Sequence, residues 1–239
     1  MRLLSSGLTV REVHRQLGVG QTTLRNWLSR PERVAPSRDC PRCHGRRLDG
    51  RAYAYLLGLY LGDGHLAHGR KDVFRLDIAC CDDWPGLTEA AARAVGAVMP
   101  ANAVGRRKRQ GCTMVCTTSK HLPCLFPQHG PGMKHMRKIA LEPWQEEIVA
   151  EFTEEFIRGL IHSDGCRSMN RVRRPLKGGD RWYEYVRYTF VNESADIREL
   201  YAQALDHLGI AWKQSNRKTI SVARREAVAR LDEFVGPKY

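Results

Sequence analysis

The stretches LLGLYLGDG at residues 56–64 and IRGLIHSDG at residues 157–165 decide how this chain folds. Each closes a segment with apolar residues at helical spacing, and a similar order of predicted strands and helices follows both. The order αββαββα therefore occurs twice. It predicts an α+β domain of two pseudo-symmetric halves, repeat 1 at residues 52–140 and repeat 2 at residues 141–239.

Small residues occur at matching positions in the two helices that open the repeats. Gly58 and Gly62 lie four residues apart in the first helix, and Gly159 and Ser163 have the same spacing in the second. Small residues at this spacing let two helix backbones approach closely. The sequence therefore predicts that the two helices pack against each other at the centre of the domain.

An aspartate ends each of these helices, Asp63 in repeat 1 and Asp164 in repeat 2. Two carboxylates side by side at helix C-termini, the negative ends of the helix dipoles, repel each other. A divalent cation, Mg²⁺ or Mn²⁺, would offset that repulsion, and such a site beside a basic groove fits metal-assisted phosphodiester hydrolysis. The alternative is that both aspartates are solvent-exposed residues that merely end helices.

Both stretches resemble the LAGLIDADG motif of homing endonucleases, and with the repeats the resemblance covers nearly all of residues 52–239. It implies that the motif helices form the interface between the halves and that the sheets make a saddle over double-stranded DNA. It also implies that Asp63 and Asp164 bind the metal ions and the scissile phosphates. The family uses basic residues near the sheet ends to support catalysis, and two candidates here are Lys120 and Arg224.

Residues 1–30 are predicted to form a small all-α helix-turn-helix module that binds DNA. Thr9 and Glu12 make a capping box at the start of one helix, Gly18 ends it, and a second helix covers residues 21–29. The stretch resembles the helix-turn-helix of resolvases and homeodomain-like proteins. The side chains that could reach base edges in the major groove are Gln21, Thr22, Arg25 and Asn26. The alternative is a helical hairpin that only packs on the rest of the chain.

The chain carries 39 Lys and Arg residues against 26 Asp and Glu, a formal net charge of +13. Such an excess attracts polyanions, of which nucleic acid is the commonest partner. Runs of basic residues in both repeats, with no acid near the first of them, are predicted to follow a phosphate backbone. Those residues are Arg106, Arg107, Lys108, Arg109, Arg171, Arg173, Arg174, Lys177, Lys213, Arg217 and Lys218. The alternative is a solvated charged face.

Membrane insertion is not expected, because the most apolar stretch, residues 52–62, is shorter than the about 20 residues that span a bilayer. The first residues also lack the apolar core of a signal peptide. We therefore expect a protein of the cytoplasm, associated with the nucleoid. The resemblance to two-repeat LAGLIDADG proteins implies that it acts as a monomer.

Residues 31–51 are predicted to be a linker, because prolines, glycines and charges are frequent there. This linker contains Cys40-x-x-Cys43, which is half of a zinc site. The segment from His121 to His135 is rich in further ligands. The candidates to complete a structural Zn²⁺ site are Cys124, His129 and His135. The alternative is a pair of reduced thiols in a flexible linker.

Together these features predict a site-specific DNA endonuclease, to which the helix-turn-helix adds affinity and site length. The chain is also similar to stand-alone actinobacterial proteins that join a helix-turn-helix to a LAGLIDADG domain. The alternative function is therefore a transcriptional regulator that uses the fold to bind DNA without cleaving it. A splicing cofactor that binds RNA is a third interpretation, and the helix-turn-helix argues against it because that motif binds the B-form major groove.

Overall fold

The structure is a computed structural model that describes residues 8–29, 40–176, 179–236 and 238. The chain divides into two compact units, Met1–Cys40 and Pro41–Tyr239. Lys177 and residues 31–39 of the predicted linker lie outside the described residues. Within the described part of the chain, no helix is long and apolar enough to cross a membrane.

The described part of the first unit contains two short helices, α1 (Val10–Leu17) and α2 (Gln21–Ser29). Thr9 caps α1, because its hydroxyl accepts a hydrogen bond from the Glu12 amide and its own amide donates to the Glu12 carboxylate. Gly18 ends α1 with a φ of 66°, a left-handed conformation that glycine adopts without strain. Both helices therefore begin and end where the sequence predicts a helix-turn-helix.

The second unit contains both helices and strands. Its helices are α3 (Pro41–His44), α4 (Gly50–Asp63), α5 (Pro85–Val98), α6 (Leu122–Leu125), α7 (Pro143–Glu151), α8 (Thr153–Asp164), α9 (Ala195–His207) and α10 (Arg225–Asp232). Its strands are β1 (Gly64–His68), β2 (Phe74–Cys81), β3 (Gly105–Arg109), β4 (Cys112–Ser119), β5 (Gly165–Leu176), β6 (Gly179–Val191), β7 (Lys213–Asn216) and β8 (Thr219–Val222). Single 3-10 turns lie at Arg70–Asp72 and Lys134–Met136.

Within the described residues, these strands pair antiparallel into two four-stranded sheets, in the orders β1-β2-β4-β3 and β5-β6-β8-β7. Each half begins with a long helix, α4 or α8, and continues with two strands, a helix, two strands and a short helix. The predicted α+β fold of two αββαββα repeats is therefore confirmed. The helix α7, which precedes α8, is an element that the sequence did not predict.

The core lies between the helices and one face of each sheet. Leu76, Ile78 and Val115 in the first sheet and Phe190 and Val222 in the second are fully buried. Since successive residues of a strand point to opposite faces, their neighbours line the face turned away from the helices, which we call the open face. Its charged and polar residues include His65, Arg75, Asp77, Arg107, Arg109, Asn170, Arg174, Arg181, Arg187 and Lys213.

The two halves differ in the length of their first hairpin. β1 and β2 contain 5 and 8 residues, whereas β5 and β6 contain 12 and 13. In the outer part of the longer hairpin, arginines lie over aromatic rings. The Arg171 guanidinium is 4.4 Å from the ring centre of Trp182, and that of Arg181 is 5.5 Å from the ring centre of Tyr183. All four side chains are exposed, so the hairpin extends beyond the packed core.

Candidate active site

The helices α4 and α8 pack against each other with their backbones in close contact. A Cβ atom added at Gly159 would lie 2.2 Å from the carbonyl oxygen of Tyr55, and one at Gly58 would lie 2.5 Å from a carbonyl oxygen of α8. One added at Gly62 would lie 2.2 Å from Ser163 Oγ. The structure therefore brings the four small residues of the sequence pattern together, and positions 58 and 159 have room for glycine alone.

Asp63 and Asp164 end these two helices and lie beside each other. A Cβ atom at Gly62 would lie 3.0 Å from Asp164 Oδ2. Asp63 is open to solvent on one side, but the protein packed around its carboxyl raises its pKa to about 6, and the charge of Asp164 adds to the shift. Burial also raises the pKa of Asp164. Raised pKa values mean that the ionised carboxylates are disfavoured here, and a bound cation would stabilise them.

A lysine caps the C-terminal end of each of these helices. Lys134 Nζ donates to three carbonyl oxygens in the last turn of α4, two of them at 2.9 Å. Lys238 Nζ donates to the carbonyl oxygen of Gly165, directly after α8. Cations at this end offset the helix dipole, and both lysines lower the pKa values of the two aspartates. Burial lowers the pKa of Lys134 to about 8, which the nearby aspartates oppose.

Asn192, which follows β6, orients Asp164. Its side-chain amide donates to Asp164 Oδ2 at 2.5 Å, while its Oδ1 accepts from the Ser194 amide at 2.8 Å. A cavity of about 660 Å³ opens here, and Lys134, Asp164 and Asn192 line it. Asp63 lines a second, smaller cavity of about 100 Å³ with Lys238. Each aspartate therefore shares a cavity with the lysine that caps one of the two helices.

No protein-family model and no curated protein matches the sequence. Solved structures, in contrast, match over most of the chain. The homing endonuclease I-DmoI in complex with DNA and Mn aligns with a TM-score of 0.53 at 15% identity, covering 80% of this chain and 99% of that one. The N-terminal LAGLIDADG domain of WhiA aligns with a TM-score of 0.50 at 10% identity, covering 80% and 83%. The chain has the LAGLIDADG fold.

The cations beside the LAGLIDADG aspartates differ from those suggested by the sequence. Lys120 lies in the turn after β4, and Arg224 precedes α10 as its N-cap residue. The cations that shift the pKa values of the aspartates are instead Lys134 and Lys238. Lys134 follows the start of α6 at nearly the same distance along the chain as Lys238 follows the start of α10. Lys134 and Lys238 therefore occupy nearly equivalent positions in the two LAGLIDADG repeats.

The basic residues of β3 divide between the two faces of the first LAGLIDADG sheet, because neighbouring residues of a strand point in opposite directions. Arg106 pairs with Glu89 of α5 at 2.8 Å, and Lys108 pairs with Asp82 at 3.0 Å. The run has no acid near it in the sequence, but in the folded chain acids from other elements pair with these two residues. The residues that remain on the open face are Arg107 and Arg109.

Asp77 organises the cations on the open face of this sheet. It is 1% exposed, and its carboxylate pairs with Arg75 at 2.8 Å and Arg107 at 2.7 Å. His65 Nε2 lies 3.5 Å from the same carboxylate. The Nε of Arg107 is buried without a hydrogen-bond partner among the described residues. The network fixes two guanidinium groups in place on this face.

The arginines of the long β5–β6 hairpin also divide between two faces. Arg171 pairs with Glu184 at 3.2 Å, and Arg173 pairs with Asp180 at 2.5 Å, both on the face opposite the open face. The charges of these two arginines, which the sequence suggests as DNA contacts, are therefore paired with acids of the same hairpin. The arginines that lie on the open face are Arg174, Arg181 and Arg187.

Two features of these open-face arginines indicate a place for an anion. Arg174 lies directly opposite Arg181 across the strand pair, and like charges in that position repel each other. The Nε of Arg187 is buried and has no hydrogen-bond partner in the described part of the chain. A buried N–H group without a partner costs free energy, which a bound acceptor would recover.

The other predicted DNA-binding residues are placed as follows. Lys213 lies on the open face opposite Ser221, Arg217 lies in the turn between β7 and β8, and Lys218 pairs with Glu193. In the first unit, α2 carries all four candidates for base contacts. Gln21 is half-buried, and the exposed ones are Thr22, Arg25 and Asn26.

The cysteine motif of the predicted linker meets two residues of repeat 1. The ligand atoms of Cys40, Cys43, His121 and Cys124 all lie within 4.8 Å of one another. Cys124 is a member of this cluster, but His129 and His135 are not. The ring of His129 packs edge-on against Phe74 at 5.4 Å, and both histidines line the cavity beside Asp164. The histidine of the cluster is His121, because it lies three residues before Cys124.

Proposed function

We propose that this protein binds double-stranded DNA and cleaves it as a site-specific, divalent-metal-dependent endonuclease, acting as a monomer. The observation that carries the proposal is the pair Asp63 and Asp164 at adjacent helix ends, each helix capped by a lysine. The fold shared with I-DmoI, whose structure contains DNA and Mn, supports the proposal. The substrate would be the phosphodiester backbone.

The two carboxylates fit Mg²⁺ or Mn²⁺, hard cations that prefer oxygen ligands. Burial and the charge of Asp164 raise the pKa of Asp63 although Lys134 and Lys238 lower it, so a bound cation would further stabilise the ionised carboxylates. When bound, such an ion would activate a water molecule and neutralise charge that develops on the phosphate. Lys134 and Lys238 hold positive charge beside the two aspartates. Because the transition state is more negative than the bound substrate, this charge would stabilise it more. Asn192 keeps one carboxylate oxygen of Asp164 in position.

The open faces of the two sheets are the proposed DNA-binding surface. Salt-sensitive contacts to phosphates supply most of the affinity of non-specific DNA binding. Arg174 and Arg181 carry like charges opposite each other, and the Nε–H of Arg187 has no partner among the residues that the structure describes. A bound phosphate would stabilise the arginine pair and would accept a hydrogen bond from Arg187. A net charge of +13 adds long-range attraction.

The helix-turn-helix unit would extend the DNA site. The exposed Thr22, Arg25 and Asn26 on α2 have the donors and acceptors needed for base edges. A protein with two DNA-binding units and no described membrane-spanning helix would act on the chromosome, so we propose a cytoplasmic, nucleoid-associated location.

A DNA-binding transcriptional regulator without cleavage activity is the second candidate function. The helix-turn-helix favours it, because this module adds sequence-specific binding that a regulator requires. The fold similarity to the N-terminal LAGLIDADG domain of WhiA also favours it. The adjacent aspartates with their two lysines favour cleavage, since binding alone does not need adjacent carboxylates.

Cleavage of a genomic-fragment or randomised DNA library distinguishes the two functions. The full chain is incubated with Mg²⁺ or Mn²⁺, or with a chelator as the control, and new DNA ends are sequenced. We expect cuts at a defined sequence that require the metal ion. Tight, salt-sensitive binding with intact DNA under all conditions would contradict the endonuclease and support the regulator.

The neighbouring arginines Arg173 and Arg174 provide a matched test of the DNA-binding face. Arg174→Ala removes a charge from the open face and is expected to weaken non-specific DNA binding and reduce the slope of log K against log salt by about one. Arg173→Ala removes a charge already paired with Asp180, so the slope is expected to stay unchanged. Fluorescence anisotropy over a salt series measures both. Equal slopes of log K against log salt for the two variants would mean that the open face does not bind the DNA.

Lys134 and Lys120 provide a test of which cation supports catalysis, since we propose Lys134 and the sequence suggests Lys120. Lys134→Met removes positive charge beside both aspartates and is expected to slow cleavage on the order of 100-fold while leaving DNA affinity nearly unchanged. Lys120→Met is expected to cleave at the wild-type rate. Single-turnover cleavage is measured after thermal melts show that each variant is folded. A loss of activity confined to Lys120→Met would reverse the assignment.

A further inference from the structure

We propose that Cys40, Cys43, His121 and Cys124 bind one structural Zn²⁺ ion. This inference rests on the coordination chemistry of the cluster and is independent of the proposed DNA cleavage. The cluster is also separate from Asp63 and Asp164, which offer oxygen ligands.

The four ligands come as two pairs with the same spacing, Cys40-x-x-Cys43 and His121-x-x-Cys124. Residues three apart lie on the same side of a helical turn. The helix α3 (Pro41–His44) provides such a turn for the first pair, and α6 (Leu122–Leu125), with His121 as its N-cap residue, provides one for the second. Two short turns therefore present two ligands each.

The distances within the cluster suit a metal ion. All four ligand atoms lie within 4.8 Å of one another, and Cys43 Sγ lies 3.4 Å from Cys124 Sγ. Zinc–sulfur bonds of about 2.3 Å place two tetrahedral thiolates about 3.8 Å apart. A disulfide would need about 2.0 Å between the sulfur atoms. The two thiols are therefore spaced for a shared ion.

The ligand chemistry selects zinc. Three thiolates and one imidazole are soft or borderline donors, which disfavours Mg²⁺ and Ca²⁺. Iron–sulfur clusters generally require four cysteines, whereas Cys₃His is a recurring structural zinc set. Four protein ligands leave no open coordination position for substrate. The ion would therefore have a structural role.

The ion would hold the start of the second unit against the end of repeat 1. The ring of His44 lies 5.4 Å from that of His121, and the Arg42 guanidinium lies 4.4 Å from the ring centre of Trp144. The four-residue α3 buries no side chain of its own, so these surface contacts have little hydrophobic support. Zinc would supply the missing stability. It would also anchor α6, from which the chain runs to Lys134.

Metal analysis of the full chain, purified without added metal and under reducing conditions, tests the proposal. We expect one zinc per chain in the wild type and a loss of zinc in Cys43→Ser and Cys124→Ser. Cys166→Ser, which changes an exposed thiol outside the cluster, is the matched control and is expected to retain zinc. Co²⁺ substitution is expected to give the visible absorption of a tetrahedral thiolate site.

The wild-type chain itself provides a measurement that does not depend on whether the variants fold. Stripping zinc with a chelator is expected to lower the melting temperature and to increase amide hydrogen exchange in residues 121–137, and adding Zn²⁺ back is expected to reverse both effects. A folded wild-type chain without zinc would overturn the proposal. So would iron as the bound metal, or equal zinc content in Cys124→Ser and the wild type.

Discussion

Asp63→Asn and Asp164→Asn are each expected to reduce DNA cleavage on the order of 10³-fold or more while leaving DNA affinity close to that of the wild type. Asparagine keeps the size of aspartate but removes the charge that holds the metal ion. The open-face arginines, which we propose to bind the phosphates, do not change. Single-turnover cleavage of the site found in the library measures the loss.

Asp72→Asn, at an exposed acid in the turn before β2, is the matched control and is expected to cleave normally. A double variant, Asp63→Asn with Asp164→Asn, is expected to be no less inactive than either single one, because the two residues act as a unit. Cleavage at the wild-type rate by the double variant would mean that these aspartates are not the catalytic pair.

Asp63→Asn, which is expected to reduce cleavage, is expected to increase the stability of the metal-free protein. In the folded chain, burial and Asp164 raise the pKa of Asp63 to about 6, above its ordinary value. An acid with a raised folded-state pKa favours the folded state at low pH, and that contribution is lost as the pH rises through the folded pKa. In the presence of a chelator, Asp63→Asn is therefore expected to melt at a higher temperature than the wild type at pH 7.5. The difference should shrink towards pH 4.

Gly159→Ala is expected to be the most damaging small substitution in the fold. Its Cβ atom would lie 2.2 Å from the carbonyl oxygen of Tyr55, a backbone atom that cannot move unless α4 and α8 separate. Overpacking of this kind costs about 3 kcal/mol, or more where the backbone must shift. Urea unfolding measures the change in the free energy of unfolding, and failure to obtain folded protein would be the extreme form of the result.

Gly96→Ala is the matched control because Gly96 also lies inside a helix. An added Cβ atom there would meet only Val104 Cγ2, at an ordinary 3.8 Å. Alanine in a helix interior is favoured over glycine by about 0.5–1 kcal/mol, so this variant is expected to be slightly more stable than the wild type. Similar destabilisation in both variants would show that the helix contact is not the cause.

The sequence predicts the parts of this protein that repeat or depend on local spacing. Helix α2 lies at the predicted residues 21–29, and both aspartates end their helices as expected. Small residues four apart lie on one side of a helix, and the structure places those of α4 and α8 where the two helices meet. The two-repeat fold follows from the same pattern.

Contacts between distant segments were harder to predict. Lys134 and Lys238 reach the helix ends from segments without a motif, so only the folded chain reveals them. His121 belongs to the cysteine cluster because a turn of α6 places it beside Cys124, whereas the composition of the segment does not distinguish it from His129. Strand alternation could have predicted that half of the basic run in β3 faces the helices. The acids that pair with it come from α5 and from the residues after β2.

The first hairpins of the two sheets differ in length, so the two ends of the proposed DNA-binding surface are not equivalent. β5 and β6 are longer than β1 and β2, so a duplex lying along both open faces would meet a long arm at one end and a short one at the other. A palindrome offers the same surface to both ends and would leave one of the arms mismatched. If the protein binds DNA as proposed, we therefore expect a directional site that it binds in one orientation. Because one chain carries both halves, we expect that mutations could then change recognition of one half-site without changing the other.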